Sequence, residues 1–222
     1  MNVPGSPPAG VIFDCDGVLV DSEGLASRVE SELTRELGLN LTTAEAHDLF
    51  LGKTVDGVLD LIAARSGRKL SSSFVYNWAF ATAQVFMHEL RPVPGVRAVV
   101  EELRARGAAL AVASQSPLAR VRFSLEVTGL AQLFGQHLYV TSMVARPKPA
   151  PDVYLLAASR LGVRPEECVV VEDSPAGAAA ALAAGMRAIG YAPDGSADAM
   201  RASGAVVIGS MAELLPLIPP QR

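Results

Sequence analysis

The chain has 222 residues, half of them hydrophobic, with charged side chains at 19% and a formal net charge of −4 at pH 7. A balance so close to neutral excludes the basic footprint of a nucleic-acid binder and of a protein that lies on an acidic membrane. Any anionic substrate would have to be held locally, by a few side chains and a metal, in a chain whose length suits one core domain with a smaller insertion.

The leader, M-N-V-P-G-S-P-P-A-G, lacks the basic start and apolar core of a signal peptide, and no uninterrupted apolar run reaches the roughly 18 residues of a spanning helix. The default expectation is a soluble, cytoplasmic monomer. Residues 10–23 read G-V-I-F-D-C-D-G-V-L-V-D-S-E: a β-prone run at 11–13 ends in Asp14 and Asp16, and Gly17 frees the backbone to turn. Two carboxylates at the mouth of a buried strand are costly unless a cation or a reaction uses them. Both cysteines, Cys15 and Cys168, sit in apolar runs; strand alternation turns Cys15 away from its aspartate neighbours, and no disulfide framework is indicated.

From 22 to 90 the texture is helical. R-V-E-S-E-L-T-R-E-L-G reads as an amphipathic helix ended by Gly38, T-T-A-E-A-H-D-L-F opens on a capping threonine, and 55–65 and 73–90 continue the pattern. R-P-V-P-G at 91–95 marks the return to the core. Beyond it, helices over 96–106, 117–128, 152–161 and 175–184 alternate with strands over 108–113, 138–140, 168–171, 187–190 and, more weakly, 205–208. Buried strands separated by helices run parallel with crossovers. The expected fold is therefore α/β, a doubly wound parallel sheet built from 10–20 and 92–222 with an all-helical insertion over 21–91.

Ligands of such sheets bind at the carboxyl ends of the strands. Polar clusters stand there: Asp14 and Asp16, then Ser114-Gln115-Ser116, then Glu172-Asp173-Ser174. Converging carboxylates raise one another's pKa unless a hard cation neutralises them, and an all-oxygen donor set favours Mg²⁺. Mg²⁺ is expected between Asp14, Asp16 and Asp173, with Glu172 bound directly or through water. One aspartate would attack phosphorus while another protonates the leaving oxygen. Lys148 and the Ser114 hydroxyl would hold the phosphoryl oxygens. Gln115, beside Ser114, and Lys53, in L-G-K-T, are candidate substrate contacts, as are Asn77 and Trp78; those in the insertion suit its own surface or core equally well.

Each cluster alone also has an ordinary reading. Residues 12–23 nearly fit a calcium loop, but the loop would open on Ile12 and follow a strand. Ser114 could cap a helix, as Ser174 before Pro175 is expected to do. Lys148 could be exposed between its two prolines, and Glu172 and Asp173 could simply favour a helix N-terminus. His47, His88 and His137 have no metal-ligand spacing and read as structural.

As a set, D-C-D-G-V-L-V-D-S, A-S-Q-S, R-P-K-P-A-P-D-V-Y and V-E-D-S-P-A-G resemble the four motifs of the haloacid dehalogenase-like superfamily, in the family's order. The resemblance covers 10–191 and puts the helical stretch where that family carries its first-insertion cap. It implies a Mg²⁺-dependent phosphomonoesterase for a small phosphorylated metabolite, a sugar or sugar-acid phosphate. It makes Asp14 the nucleophile that forms an aspartyl-phosphate, and Asp16 the acid/base whose backbone carbonyl also meets the metal. Ser114 and Lys148 become the phosphate-holding pair, and Asp173 with Glu172 the acidic ligands. The nearest likeness is to the β-phosphoglucomutase and sugar-phosphate phosphatase group. Mutases of that group carry a histidine on the first cap helix, where Leu25-Ala26-Ser27 has none, so hydrolysis is favoured over phosphomutase chemistry. The founding dehalogenases and the phosphonatases lack an aspartate at the position of Asp16. A non-enzymatic phosphate sensor, the third reading, would not need both aspartates.

Overall fold

The computed structural model describes residues 10–50, 52–193, 195 and 198–218, so all of the leader before Gly10 lies outside it. The strands are β1 (Gly10–Phe13), β2 (Ala109–Ser114), β3 (Leu138–Val140), β4 (Cys168–Glu172), β5 (Arg187–Tyr191) and β6 (Val206–Ile208). They form one sheet in the order β3-β2-β1-β4-β5-β6, with every pairing parallel. β1 is four consecutive buried residues. Such a strand is satisfied only inside a sheet covered on both faces, and it lies between β2 and β4, where the strand order reverses.

Among the described residues, seven α-helices follow the insertion: α5 (Val96–Ala105), α6 (Leu118–Val127), α7 (Ala131–Phe134), α8 (Asp152–Leu161), α9 (Pro175–Ala183), α10 (Asp198–Ser203) and α11 (Leu214–Leu217). The alternation of β1 sorts them into two layers. Val11 and Phe13 face Val99, Leu103, Leu125 and Phe134, whereas Ile12 faces Val153, Tyr154, Ala157 and Ala181. Phe13 meets Phe134 edge-on at 6.0 Å between ring centroids, and burying such a ring contributes about 1.5–3 kcal/mol. Alanines let α9 lie close on the sheet: Ala178, Ala180 and Ala181 are fully covered. Both cysteines are free and buried, Cys15 in one layer and Cys168 in the other.

The expected helix over 152–161 and strand over 138–140 match α8 and β3. The second strand instead runs from Ala109 to Ser114, because pairing of Ser114 with Val140 carries the ladder one residue further. The short α7, α10 and α11 had no periodic signal to announce them.

Between β1 and α5 the chain makes α1 (Glu23–Arg35), α2 (Thr43–Phe50), α3 (Val55–Ser66) and α4 (Ser72–Glu89). These helices enclose a separate apolar cluster that includes Val29, Ala46, Phe50, Val58, Ile62 and Trp78. Thr54 caps α3 by accepting from the Gly57 N–H, and Ser71 caps α4 by accepting from the Phe74 N–H. The outgoing and returning connections pair with each other: the Asp21 N–H donates to the Arg91 carbonyl at 2.9 Å and the Val93 N–H to the Leu19 carbonyl at 3.0 Å. No helix among the described residues is long and apolar enough to cross a membrane.

Candidate active site

The ends of β1, β2 and β4 deliver the site. Past β1 the Asp14 N–H still donates to the Val171 carbonyl at 2.9 Å, which fixes Asp14 at the carboxyl edge of the sheet. Gly17 then turns the chain with φ at +72°, and a Cβ there would overlap the Asp173 carboxylate. Ser114 closes β2, Glu172 closes β4, and Ser174 caps α9 by accepting from the Gly177 N–H at 3.0 Å.

Lys148 occupies the centre. Its ammonium donates to Asp14 Oδ1 and Glu172 Oε1, each at 2.6 Å, and to the Ala113 carbonyl at 3.0 Å. The side chain is buried, so this is a desolvated three-group ion cluster whose members depend on one another. Glu172 is engaged at both oxygens. Oε1 also accepts from the Tyr154 hydroxyl at 2.6 Å, and Oε2 accepts from the N–H groups of Asp173 and Ser174 and from the Ser174 hydroxyl.

Protonation follows from these contacts. Burial would raise Glu172, but the charge of Lys148 and the surrounding donors outweigh it and hold the carboxyl below its ordinary range. Asp14 goes the other way: burial dominates, Lys148 offsets only part of it, and the Glu172 charge adds, so the carboxyl is pushed up to about 8. Asp173 is raised well above the usual carboxylate range by burial and by the charges of Glu172, Asp14 and Glu23, the last also hydrogen-bonded to it.

Asp16 belongs to a second network. Oδ1 accepts from the Ser22 hydroxyl at 2.6 Å and from Arg120 Nη2 at 3.2 Å, and Oδ2 accepts from the Ser116 hydroxyl at 2.6 Å. Burial opposes its charge, yet the Arg120 charge and the hydrogen bonds from Ser116, Ser22 and Arg120 more than compensate, and the carboxyl sits below its ordinary range. Arg120 is itself stacked on the Phe86 ring of α4, 5.0 Å from the centroid.

The cleft that joins these groups is lined by Asp14, Asp16, Glu23, Glu30, Glu172 and Asp173 against Lys53, Arg120 and Lys148. Surplus negative charge on oxygen donors is the chemistry a hard divalent cation satisfies. Asp14 and Asp173 fit that role in charge and donor type. Glu172, saturated by protein donors, and the Asp16 carboxylate, turned toward Ser22, Ser116 and Arg120, do not offer an oxygen in this arrangement. Among the described residues, no three His, Cys, Asp or Glu side chains are gathered as a ready-made ion site.

A family profile described as haloacid dehalogenase-like hydrolase matches residues 8–185. The chain belongs to the haloacid dehalogenase-like hydrolases. It is 36% identical to hexitol phosphatase B of Escherichia coli K12 over 206 residues, 91% of this chain and 92% of that one. It is 31% identical to 6-phosphogluconate phosphatase of the same strain over 187 residues, 83% of this chain and 82% of the relative. A haloacid dehalogenase-family hydrolase of Deinococcus radiodurans R1, solved with bound phosphate and sodium, superposes with a TM-score of 0.78 at 36% identity, over 97% of this chain and 100% of that one.

In this haloacid dehalogenase-like hydrolase, Asp14, Asp16, Lys53, Ser114, Gln115, Lys148, Glu172 and Asp173 all line the one cleft. Ser114 Oγ accepts from the Ser116 N–H at 3.0 Å, and the Gln115 amide reaches across to the insertion, donating to the Gly52 carbonyl at 2.5 Å. Trp78 lines the cleft from the insertion's core, whereas Asn77 is exposed on α4 and is not part of the wall. His47 also reaches the cleft; His88 is exposed and His137 is hydrogen-bonded to the Tyr139 hydroxyl. Sequence reasoning missed Arg120, Ser22, Glu30 and the role of Tyr154. Ser22 and Tyr154 stand inside quoted motifs and could have been found there; Arg120 and Glu30 carry no such signal.

Proposed function

We propose that this chain is a Mg²⁺-dependent phosphomonoesterase for a small phosphorylated sugar, sugar alcohol or sugar acid, working through an aspartyl-phosphate on Asp14. The observation that carries the reading is the Lys148 ammonium held between Asp14 and Glu172 at the carboxyl edge of β1, β2 and β4. The substrate class is supported by relatives named as a hexitol phosphatase and a 6-phosphogluconate phosphatase.

In this reading an Asp14 oxygen attacks phosphorus, the ester P–O bond breaks, and Asp16 gives its proton to the departing oxygen. Water then attacks the phosphorus of the aspartyl-phosphate and passes a proton to Asp16, which restores Asp14 and frees phosphate. Lys148 gives up one of its three contacts, with Asp14, Glu172 and the Ala113 carbonyl, to hold a phosphoryl oxygen together with Ser114, while Glu172 and the Tyr154 ring keep the ammonium in place. Mg²⁺ bound by Asp14, Asp173 and the Asp16 carbonyl would screen the phosphoryl charge from the attacking carboxylate. Before it donates, Asp16 must leave the contacts with Ser22, Ser116 and Arg120 that keep it ionised. Residues 21–91 act as a cap over a core of 10–20 and 92–222, closing about hinges at 18–22 and 91–95.

Phosphate release from a panel of sugar phosphates, with Mg²⁺ and with chelator, tests the reading. Wild type should turn over only with the metal, and Asp14→Asn should lose at least about 10³-fold in kcat while keeping its fold. Near-normal turnover by that variant would remove Asp14 from the nucleophile's role.

A further inference from the structure

Glu30 stands on α1 in the wall of the cleft, and phosphoryl transfer makes no use of it. The residue is buried, with 7% of its surface exposed, yet among the described residues nothing donates a hydrogen bond to its carboxyl or forms an ion pair with it. The charges of Arg120 and Asp16 act on it from farther off. A largely buried carboxyl whose oxygens open only onto the cleft, with no protein donor, is placed to accept from a ligand that brings the donors. Arg120, whose charge acts on Glu30, has its Nε fully buried without an acceptor. Ser27, one turn earlier on α1, and the Trp78 ring line the same cleft, adding a hydroxyl and an apolar face. Acceptor, hydroxyl and apolar face together suit the alternating C–H and O–H groups of a polyol.

We propose that Glu30 is a specificity-determining residue whose carboxylate accepts hydrogen bonds from the hydroxyls of an uncharged polyol leaving group and disfavours one bearing a second anion. The proposal rests on the phosphatase reading, which places the leaving group beside Asp16, on the side of the cleft where Glu30 lies.

The test compares, at pH 8, kcat/KM of wild type, Glu30→Ala and Glu30→Gln on sorbitol 6-phosphate, 6-phosphogluconate and p-nitrophenyl phosphate. Wild type should prefer sorbitol 6-phosphate to 6-phosphogluconate. Glu30→Ala should lose about tenfold or more on sorbitol 6-phosphate while p-nitrophenyl phosphate stays within about twofold. Glu30→Gln, the same shape without the charge, should narrow the preference over 6-phosphogluconate by about tenfold, and it carries the test if the alanine variant fails to fold. A wild-type preference for 6-phosphogluconate, or equal changes on all three substrates, overturns the role of Glu30 and leaves the phosphatase reading standing. No phosphate release by wild type from any of the three overturns both.

Discussion

Lys148 carries one positive charge and touches two carboxylates, so one of them is always short of a counter-charge; Glu172, with its additional donors, keeps the proton off, and Asp14 is left in need of a further cation. Glu30 shows the same physics with no hydrogen bond or ion pair to its carboxyl among the described residues. Burial leads, the charge of Arg120 opposes it in part and that of Asp16 adds, and the carboxyl is pushed up from 4.5 to about 7. The folded protein therefore holds that proton more tightly than the unfolded chain does, and the associated stability, complete below pH 4.5, is lost as pH rises to about 7. In metal-free protein, Glu30→Gln should exceed wild type slightly at pH 5 and by up to about 3 kcal/mol at pH 8, read from urea denaturation at both values. Equal stability at pH 8 would mean that the carboxylate is solvated. Asp14, Asp16, Ser114, Glu172 and Asp173 were legible in the sequence because each follows an apolar run that reads as a strand. Arg120 and Glu30 were not. Arg120 differs from the exposed Arg122, and Glu30 from the exposed Glu32, only in helical phase, and phase acquires meaning only when α6 and α1 are docked.

Among the elements, α9 ties stability to the site most directly. Ser174 Oγ accepts from the Gly177 N–H and donates to Glu172 Oε2, so one hydroxyl serves both the helix start and the ion cluster. Gly177 has no side chain because the Glu172 carboxyl fills the space a Cβ would need. Gly177→Ala should displace Glu172 from Lys148 and Tyr154, cost about 1–3 kcal/mol and lower kcat with the fold retained, as measured by thermal denaturation alongside turnover. Unchanged activity would show that the cluster can move aside. E-D-S-P-A-G displays the cap in its spacing, since serine before proline starts helices for local reasons. It does not display the reason for the glycine, which is a contact made by packing rather than by sequence neighbours.

For the molecule as a whole, periodicity distinguished a strand-and-helix alternation from an uninterrupted helical stretch, which is why both the sheet and the insertion were foreseeable. Strand order was not, because alternation along a strand says nothing of which strand lies beside it. One contact between the sheet edge and the insertion was equally invisible: the Gln115 amide on the Gly52 carbonyl. One such hydrogen bond contributes about 1 kcal/mol, so Gln115→Ala should raise KM for a sugar phosphate about threefold to tenfold and leave kcat for p-nitrophenyl phosphate near wild type. A KM that does not move would make the contact incidental to closure.

The paired connections, Asp21 on Arg91 and Leu19 on Val93, have a further meaning. The chain leaves the sheet layer and re-enters it at adjacent points, so the helices hang from it as a bead hangs from a pinched thread. A short turn spliced across the pinch would take away Phe86 and Leu90, which pack into the sheet's own core, together with the rest of the helices, and would lay the Lys148 cluster open. In the proposed function, roof and hearth would decide different things: the sheet edge the chemistry, and the helices which phosphorylated metabolite fits beneath them.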